Sequence, residues 1–356
     1  MEKLIRLSKS IIGEAKKKAV QAVLNHEYLG MGQEVQAFET DLTNFLGRTT
    51  VCVNTGTSAL HLAVQALDFA PGSQVLVQSL TYVASFQAIS AAGAKPIPCE
   101  IDPHTITIDL KDAEKRLTDK TVAIMPVHYA SGMGKLDEIY AFAQSNGLRV
   151  IEDAAHAFGS LYNGKKVGSF GDVACFSFDG IKNITSGEGG AIVTDDEIIL
   201  KRVRNARLLG VEKDTEARFK GNRSWEFDVS HQGWRYHMSN IMAAIGIEQL
   251  KRFPTFAVSR RELARQYQAR LSNIDQIHLL DQDLDAIVPH IFVIKITTGT
   301  RDKVRKKMLE EGIQTGIHWQ PNHFLFLSRE KGHQAYICYW SMKLELSWTS
   351  LMTFFW

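Results

Sequence analysis

The sequence predicts an α/β protein, with a large domain built on a mostly parallel mixed sheet flanked by helices and a small α+β domain after it. Two observations predict this. Short apolar runs of strand length alternate with helix-like segments through the first part of the chain, the pattern of a sheet buried on both faces. Beyond Leu271 the pattern changes to strand, helix, strand, as expected of a separate unit. A third observation concerns function: residues able to do chemistry recur at the carboxyl ends of the expected strands, where ligands bind in open parallel sheets.

The elements follow in chain order. The opening "MEKLIRLSKSIIGEAKKKAV" keeps its charges throughout, so it reads as an amphipathic helix rather than a signal peptide. Strand "TVCV" (50–53) leads through "NTGTS" into helix "ALHLAVQAL", and strand "QVLVQS" leads into "YVASFQAISAAG". Strands "KPIPCEI" and "TVAIMPV" follow, then helix "LDEIYAFAQSNG", closed by an Asn-Gly stop signal. Strand "RVIEDAA" is next, then "FSFDGIKNITSGEGG", which sets a lysine between an apolar strand-like run and a glycine cluster. "AIVT" and the basic helix "LKRVRNARLLG" precede "SWEFDVSHQGWRYHMSN", which is aromatic, aperiodic and expected to be loop. "IMAAIGIEQLKRF" and "SRRELARQYQARL" read as two helices. "HIFVIKI", "RDKVRKKMLEEG" and "IQTGIHW" then give strand, helix and strand. The domain boundary is expected within 250–270, which divides the chain into a large domain, 1–250, and a small one, 251–356.

Composition excludes several classes. The chain has 356 residues, 45% hydrophobic and 22% charged, enough apolar mass for two domains. Lys and Arg total 41 against 39 Asp and Glu, so a net charge of +2 gives no basis for binding nucleic acid or an anionic membrane. No apolar run approaches the roughly 18 residues of a membrane span. Cys52, Cys99, Cys175 and Cys338 are far apart and form no CxxC pair, so they are expected to be buried free thiols of a cytoplasmic protein, without a metal.

Four constellations carry possible chemistry. In "NTGTSAL", Thr57 and Ser58 sit where a helix begins, either to hold a phosphate on its free N–H groups or to cap it. In "VIEDAAHAFGS", a buried strand ends in Glu152 and Asp153. A carboxylate there either keeps a ring nitrogen protonated or caps a helix. His156 stacks on or hydrogen-bonds a ligand, or is structural. Tyr82 either faces a flat ligand or belongs to the core. Lys182 in apolar surroundings would have a lowered pKa and attack an aldehyde, with Ser177 in reach of a phosphate. The glycines of "GEGG" are expected to let backbone pass close to a bulky ligand. Amine, carboxylate, phosphate-holding turn and aromatic plate together match the needs of pyridoxal phosphate (PLP): the lysine as Schiff base, the aspartate on the pyridine nitrogen. A nicotinamide site is disfavoured because no G-x-G-x-x-G follows a strand. His318 and His323 lack a clear third metal ligand and are expected to line a sugar or nucleotide pocket, or a loop.

"FSFDGIKNITSGEGGAIVTDD" resembles the lysine segment of the DegT/DnrJ/EryC1/StrS sugar aminotransferases. "VIEDAAHAFGS", "NTGTSALHLAV", "LTYVASFQAI", "PVHYASG", "GWRYHMSNIMAAIGIEQL" and "YLGMGQEVQAFETDLTNFLG" resemble its other blocks, over roughly residues 25 to 320. The resemblance implies a PLP-dependent transferase of fold type I, a homodimer with active sites at the subunit interface. It implies amino transfer from an amino acid, usually L-glutamate, to a keto-sugar, most often nucleotide-linked, for amino-sugar or polysaccharide biosynthesis. It implies that Lys182 is the catalytic lysine, that Asp153 pairs with the ring nitrogen, that His156 stands near the ring hydroxyl and that Tyr82 stacks on the ring. Thr57, Ser58 and Ser177 contact the phosphate, and Glu188 and His318 contact substrate. Dehydratases of the family carry histidine in place of the lysine, so Lys182 disfavours that activity; an inactive PLP-binding regulator is the other alternative.

Three departures stand out. "GWRYH" (233–237) places Arg235 where the family has an asparagine reaching a neighbouring subunit's phosphate, and His237 where it has arginine. Asp179 replaces a frequent histidine. From about Phe326 the tail, with Trp340, Trp348 and Trp356, departs from the family pattern, as expected of a frameshifted or truncated end lacking the last elements of the small domain.

Overall fold

The structure, a computed structural model, describes residues 4–223, 225–229, 231–325 and 351–354. Helices α1 (Glu14–Asn25) and α2 (Gln33–Leu46) precede β1 (Thr50–Val53) and α3 (Gly56–Ala66). Then come β2 (Gln74–Gln78), α4 (Val83–Ala91), β3 (Lys95–Cys99), α5 (Leu110–Lys115), β4 (Thr121–Met125), α6 (Leu136–Ser145) and β5 (Arg149–Asp153). A small hairpin, β6 (Leu161–Tyr162) with β7 (Lys165–Lys166), is followed by β8 (Val173–Ser177), β9 (Gly190–Val193), α7 (Glu197–Ala206) and α8 (Asp214–Phe219). Last are α9 (Asn240–Leu271), β10 (Ile277–Leu279), β11 (Phe292–Ile296), α10 (Arg301–Glu310) and β12 (Leu351–Phe354).

Seven strands form the main sheet in the order β1-β9-β8-β5-β4-β2-β3. Neighbours from β8 through β5, β4 and β2 to β3 are parallel, and β9 is antiparallel to both β8 and β1. Six strands therefore point their carboxyl ends to one edge, and β9 starts there. β1, β8 and β9 are buried along their whole length because the sheet is covered on both faces. One apolar cluster packs Phe38, Phe158, Phe176 and Phe178 on one side, and another packs Leu62, Val75, Phe86 and Ile192 on the other.

A second sheet, β10-β11-β12, is antiparallel and packs Phe292, Ile294, Ile296 and Met352 against Ala264 of α9. The tail enters here. Residues 351–354 pair with β11 on the side that β10 leaves free, which makes β11 the central strand. Cys338, Trp340, Trp348 and Trp356 lie outside the described residues.

Four local expectations change. The opening segment, read as an amphipathic helix, is helical only from Glu14; residues 4–13 are outside any helix. The two helices read over 241–271 are one 32-residue helix running through Pro254. Packing on α1 and α2, with Phe253 and Ala257 buried beside the proline, outweighs the roughly 3 kcal/mol that proline costs a helix interior. "IQTGIHW" is not a strand: it makes only isolated bridges, at Ile313, which pairs with Ile5, and at Gly316. The glycines of "GEGG" answer to the chain rather than to a ligand. A Cβ on Gly190 would stand 2.3 Å from Thr55 O, and Gly187 takes a φ of +83°.

Candidate active site

The carboxyl edge of the main sheet opens into a cavity of about 370 Å³, within the range of small-molecule sites. Thr57, Tyr82, Asp153, His156, Ser177, Lys182, Glu188 and His318 all line it. Ser58 and Arg235 do not. Ser58 is buried in the first turn of α3, with its hydroxyl given to Asn54 Oδ1 at 2.7 Å. Arg235 is exposed on the loop before α9.

Strand alternation sorts the two acids that end β5, because successive side chains leave a strand on opposite faces. Glu152 turns away from the cavity into a fully buried network, with Oε2 2.7 Å from His128 Nε2 and Oε1 accepting from Tyr140 at 2.5 Å. Asp153 faces the cavity. Its Oδ2 accepts from Ser85 Oγ at 2.8 Å and its Oδ1 from the Ala155 N–H at 3.2 Å. Burial pushes its pKa up, and the two hydrogen bonds and the charge of Lys182 partly oppose this.

Lys182 follows β8 on the turn that joins it to β9. Burial of the amine lowers its pKa to about 8, against the opposing pull of Asp153 and then Asp179. A substantial neutral fraction therefore exists near pH 7, as an amine nucleophile needs. His156 is buried, with its pKa well below the usual value because of burial and then the charges of Lys182 and His318. Its Nδ1 accepts the Ala130 N–H at 3.3 Å. The neutral ring therefore carries its proton on Nε2 and offers a donor there.

Helix α3 begins at this edge. Thr55, not Thr57 or Ser58, is its cap, accepting the Ser58 N–H at 3.0 Å. Thr57 and Ser177 are left beside the positive end of the helix, a setting suited to a phosphate. Tyr82 precedes α4 and is 53% exposed, so it is a cavity wall and not core.

Residues beyond α9 supply the other wall. The Trp319 ring centroid lies 5.5 Å from Tyr82, 5.3 Å from His156 and 5.8 Å from Tyr129, and His290 lies 4.4 Å from His156. Burial lowers the pKa of His318 to about 4, with a smaller contribution from Lys182, so it is neutral. His323 pairs with Ser79 Oγ at 2.5 Å, outside the cavity lining. His290 escaped the sequence reading, and Trp319 entered it only as part of His318–Gln320, a span expected to contact the acceptor. Trp319 lay in a segment taken for a strand, and His290 began a strand-like run where nothing marks a pocket residue.

PLP fits this set on the structure's own terms. A buried carboxylate and a buried amine of lowered pKa face one cavity, a helix N-terminus with two hydroxyls lies beside them, and aromatic rings close a side.

The profile of the DegT/DnrJ/EryC1/StrS aminotransferase family matches residues 10–345, past Phe326 where the sequence resemblance was expected to end. The chain is 33% identical over 327 residues to dTDP-4-dehydro-2,3,6-trideoxy-D-glucose 4-aminotransferase of Saccharopolyspora spinosa, covering 90% of this chain and 85% of that one. It is 34% identical over 320 residues to the spore coat polysaccharide biosynthesis protein SpsC of Bacillus subtilis strain 168, covering 88% and 82%. Among solved structures, the PLP form of Spr1654 from Streptococcus pneumoniae aligns with a TM-score of 0.87 at 26% identity, covering 99% of this chain and 93% of that one. Its PMP form aligns with a TM-score of 0.87 at 25% identity, covering 99% and 92%. The chain belongs to the DegT/DnrJ/EryC1/StrS aminotransferase family and is a PLP-dependent aminotransferase.

Proposed function

We propose that this aminotransferase moves an amino group from L-glutamate to a nucleotide-linked keto-sugar for amino-sugar or polysaccharide biosynthesis. One observation carries the reading most: Lys182 and Asp153 face the same cavity at the carboxyl ends of β8 and β5. The relative from Saccharopolyspora spinosa acts on a dTDP-linked keto-sugar, which favours a nucleotide-linked acceptor here too.

Bound in the cavity, PLP supplies an aldehyde for the amine to condense with and a ring that withdraws electrons from the substrate carbon. Lys182 Nζ is the group that joins it and that later moves a proton to or from that carbon. Asp153 holds a proton on the ring nitrogen, since a buried carboxylate is stabilised by a cation brought against it. His156 would offer its Nε2–H to the ring hydroxyl, and Tyr82 would cover the ring. Thr57 and Ser177, with the N-terminus of α3, take the phosphate, and Ser58 braces the same turn through Asn54. Glu188, His318 and Trp319 meet the substrate.

The enzyme works as a cytoplasmic homodimer in which the exposed Arg235 reaches the phosphate of the other subunit's site, doing with charge what an asparagine does in the family. No helix among the described residues is long and apolar enough to cross a membrane. Residues 1–250 form the cofactor-binding domain and 251–356 the small domain. The test is a screen of keto-sugars with L-glutamate by the loaded protein, read by mass spectrometry of the product. Amination of a nucleotide-linked keto-sugar supports the reading. Amination of free keto-sugars or keto-acids alone refutes the acceptor class.

A further inference from the structure

Residues 5–11 cross the molecule as a strap between the two walls of the cavity. At one end Ile5 N donates to Gly312 O at 2.8 Å, Gln314 N donates to Ile5 O at 3.0 Å, and Leu7 N donates to Gln314 Oε1 at 3.1 Å. These bonds fix the stretch that runs directly into His318 and Trp319. Leu7 also packs tightly on it: a Cβ at Gly316 would stand 3.0 Å from Leu7 Cδ2. At the other end Ser10 Oγ donates to Gly180 O, two residues before Lys182. Ile11 O accepts from Gln249 Nε2 of α9 at 3.0 Å.

The turn that Ser10 meets has a second outside tie on its far side, Asn183 Nδ2 donating to Phe158 O at 3.2 Å and Val288 O at 2.9 Å, and is otherwise knit to itself. Lys182 N donates to Asp179 O at 3.1 Å, Ser186 N to Phe178 O at 2.8 Å, and Ile181 N to Asp179 Oδ1 at 3.3 Å. Ser10 therefore holds the turn before Lys182 and Asn183 holds it after, while the internal bonds set its shape. A side-chain hydroxyl on a backbone carbonyl restricts where the following residues stand, and a shift of about 1 Å at a reacting group costs much of its rate.

We propose that Ser10 is a positioning residue for Lys182: through Gly180 it fixes the lysine-bearing turn relative to the 313–319 wall, so that the strap sets amine and wall together. The proposal rests on the reading that Lys182 is the reacting amine.

The test uses full-length protein carrying Ser10→Ala, Ser10→Thr, Gln314→Ala or both alanine changes. First, without cofactor, acylation of each lysine by acetic anhydride is followed against pH by peptide mass spectrometry. Ser10→Ala is expected to slow Lys182 acylation at neutral pH about fivefold, the worth of one hydrogen bond, and to move its midpoint upward as water reaches the amine. Exposed lysines should be unchanged, and Ser10→Thr should restore the wild-type profile. Second, in the loaded enzyme Ser10→Ala should lower kcat by a similar factor with KM for glutamate nearly constant. The double variant should lose less than the product of the single losses, because both changes cut one strap. A Ser10→Ala protein with the thermal midpoint, Lys182 profile and kcat of wild type overturns the proposal, as do purely multiplicative losses. Should Ser10→Ala fail to fold, Gln314→Ala decides alone: an upward shift of the Lys182 midpoint supports the strap, and an unchanged midpoint overturns it. If the Lys182 profile shifts but Lys182→Ala still turns over, the assignment of the reacting amine falls and the strap stands.

Discussion

The cavity has two walls of different origin. One comes from the ends of β5 and β8 and the start of α3, where the buried seven-stranded sheet dictates each side chain's position. The other comes from segments beyond α9, His290 and His318–Trp319, held by aromatic contacts and by Tyr129, whose hydroxyl donates to His318 O. The first wall contains the groups proposed to act on the cofactor, Lys182, Asp153, Thr57 and Ser177 among them. The second has neutral histidines and an indole, groups suited to recognising a substrate. Division of labour follows from rigidity: catalytic groups need fixed geometry, and sheet ends supply it better than loops.

The largest break in this comparison is Lys182→Ala. Loss of the group proposed to join the cofactor and move the proton should lower kcat/KM by at least about 1,000-fold, measured by coupled assay with glutamate. Asp153→Asn keeps the shape and removes the charge. It should cost about 10- to 150-fold in kcat, the range for a charge-assisted hydrogen bond, with acceptor KM little changed. On the same wall, pH should tell. Because burial sets the Lys182 amine at about pKa 8, and only the neutral amine attacks an aldehyde, cofactor uptake by the cofactor-free protein should fall about tenfold per pH unit below that value and level off above it. Stopped-flow absorbance checks this. Trp319→Ala acts on the other wall. It should raise acceptor KM about 3- to 10-fold, the worth of lost aromatic contacts, and leave the half-reaction with glutamate nearly untouched. A Trp319→Ala loss confined to kcat would blur the two walls into one.

The same divide governs what the sequence revealed. Strands alternating with helices placed Asp153, Ser177 and Lys182 at one sheet edge before any coordinates, because the parallel pattern fixes where strand ends go. The pattern alone did not say which of Glu152 and Asp153 faces the cavity; the family resemblance named Asp153, and the phase of β5 accounts for it, with Glu152 turned to His128 and Tyr140. Ser58 looked like a phosphate ligand by position, but Asn54 and the Thr55 cap claim its hydroxyl and its N–H. His290 was invisible and Trp319 was marked only within the span 318–320, since loop residues brought together over long sequence separations carry no period. The proline in α9 suggested two helices where tertiary packing made one.

The central claim is that one amine, at position 182, carries the cofactor. Borohydride reduction of the loaded protein, followed by digestion and peptide mass spectrometry, fixes the cofactor to whichever lysine holds it. The account predicts a phosphopyridoxyl mass on Lys182 and on no other lysine; the label on a different lysine, with Lys182 unmodified, contradicts it.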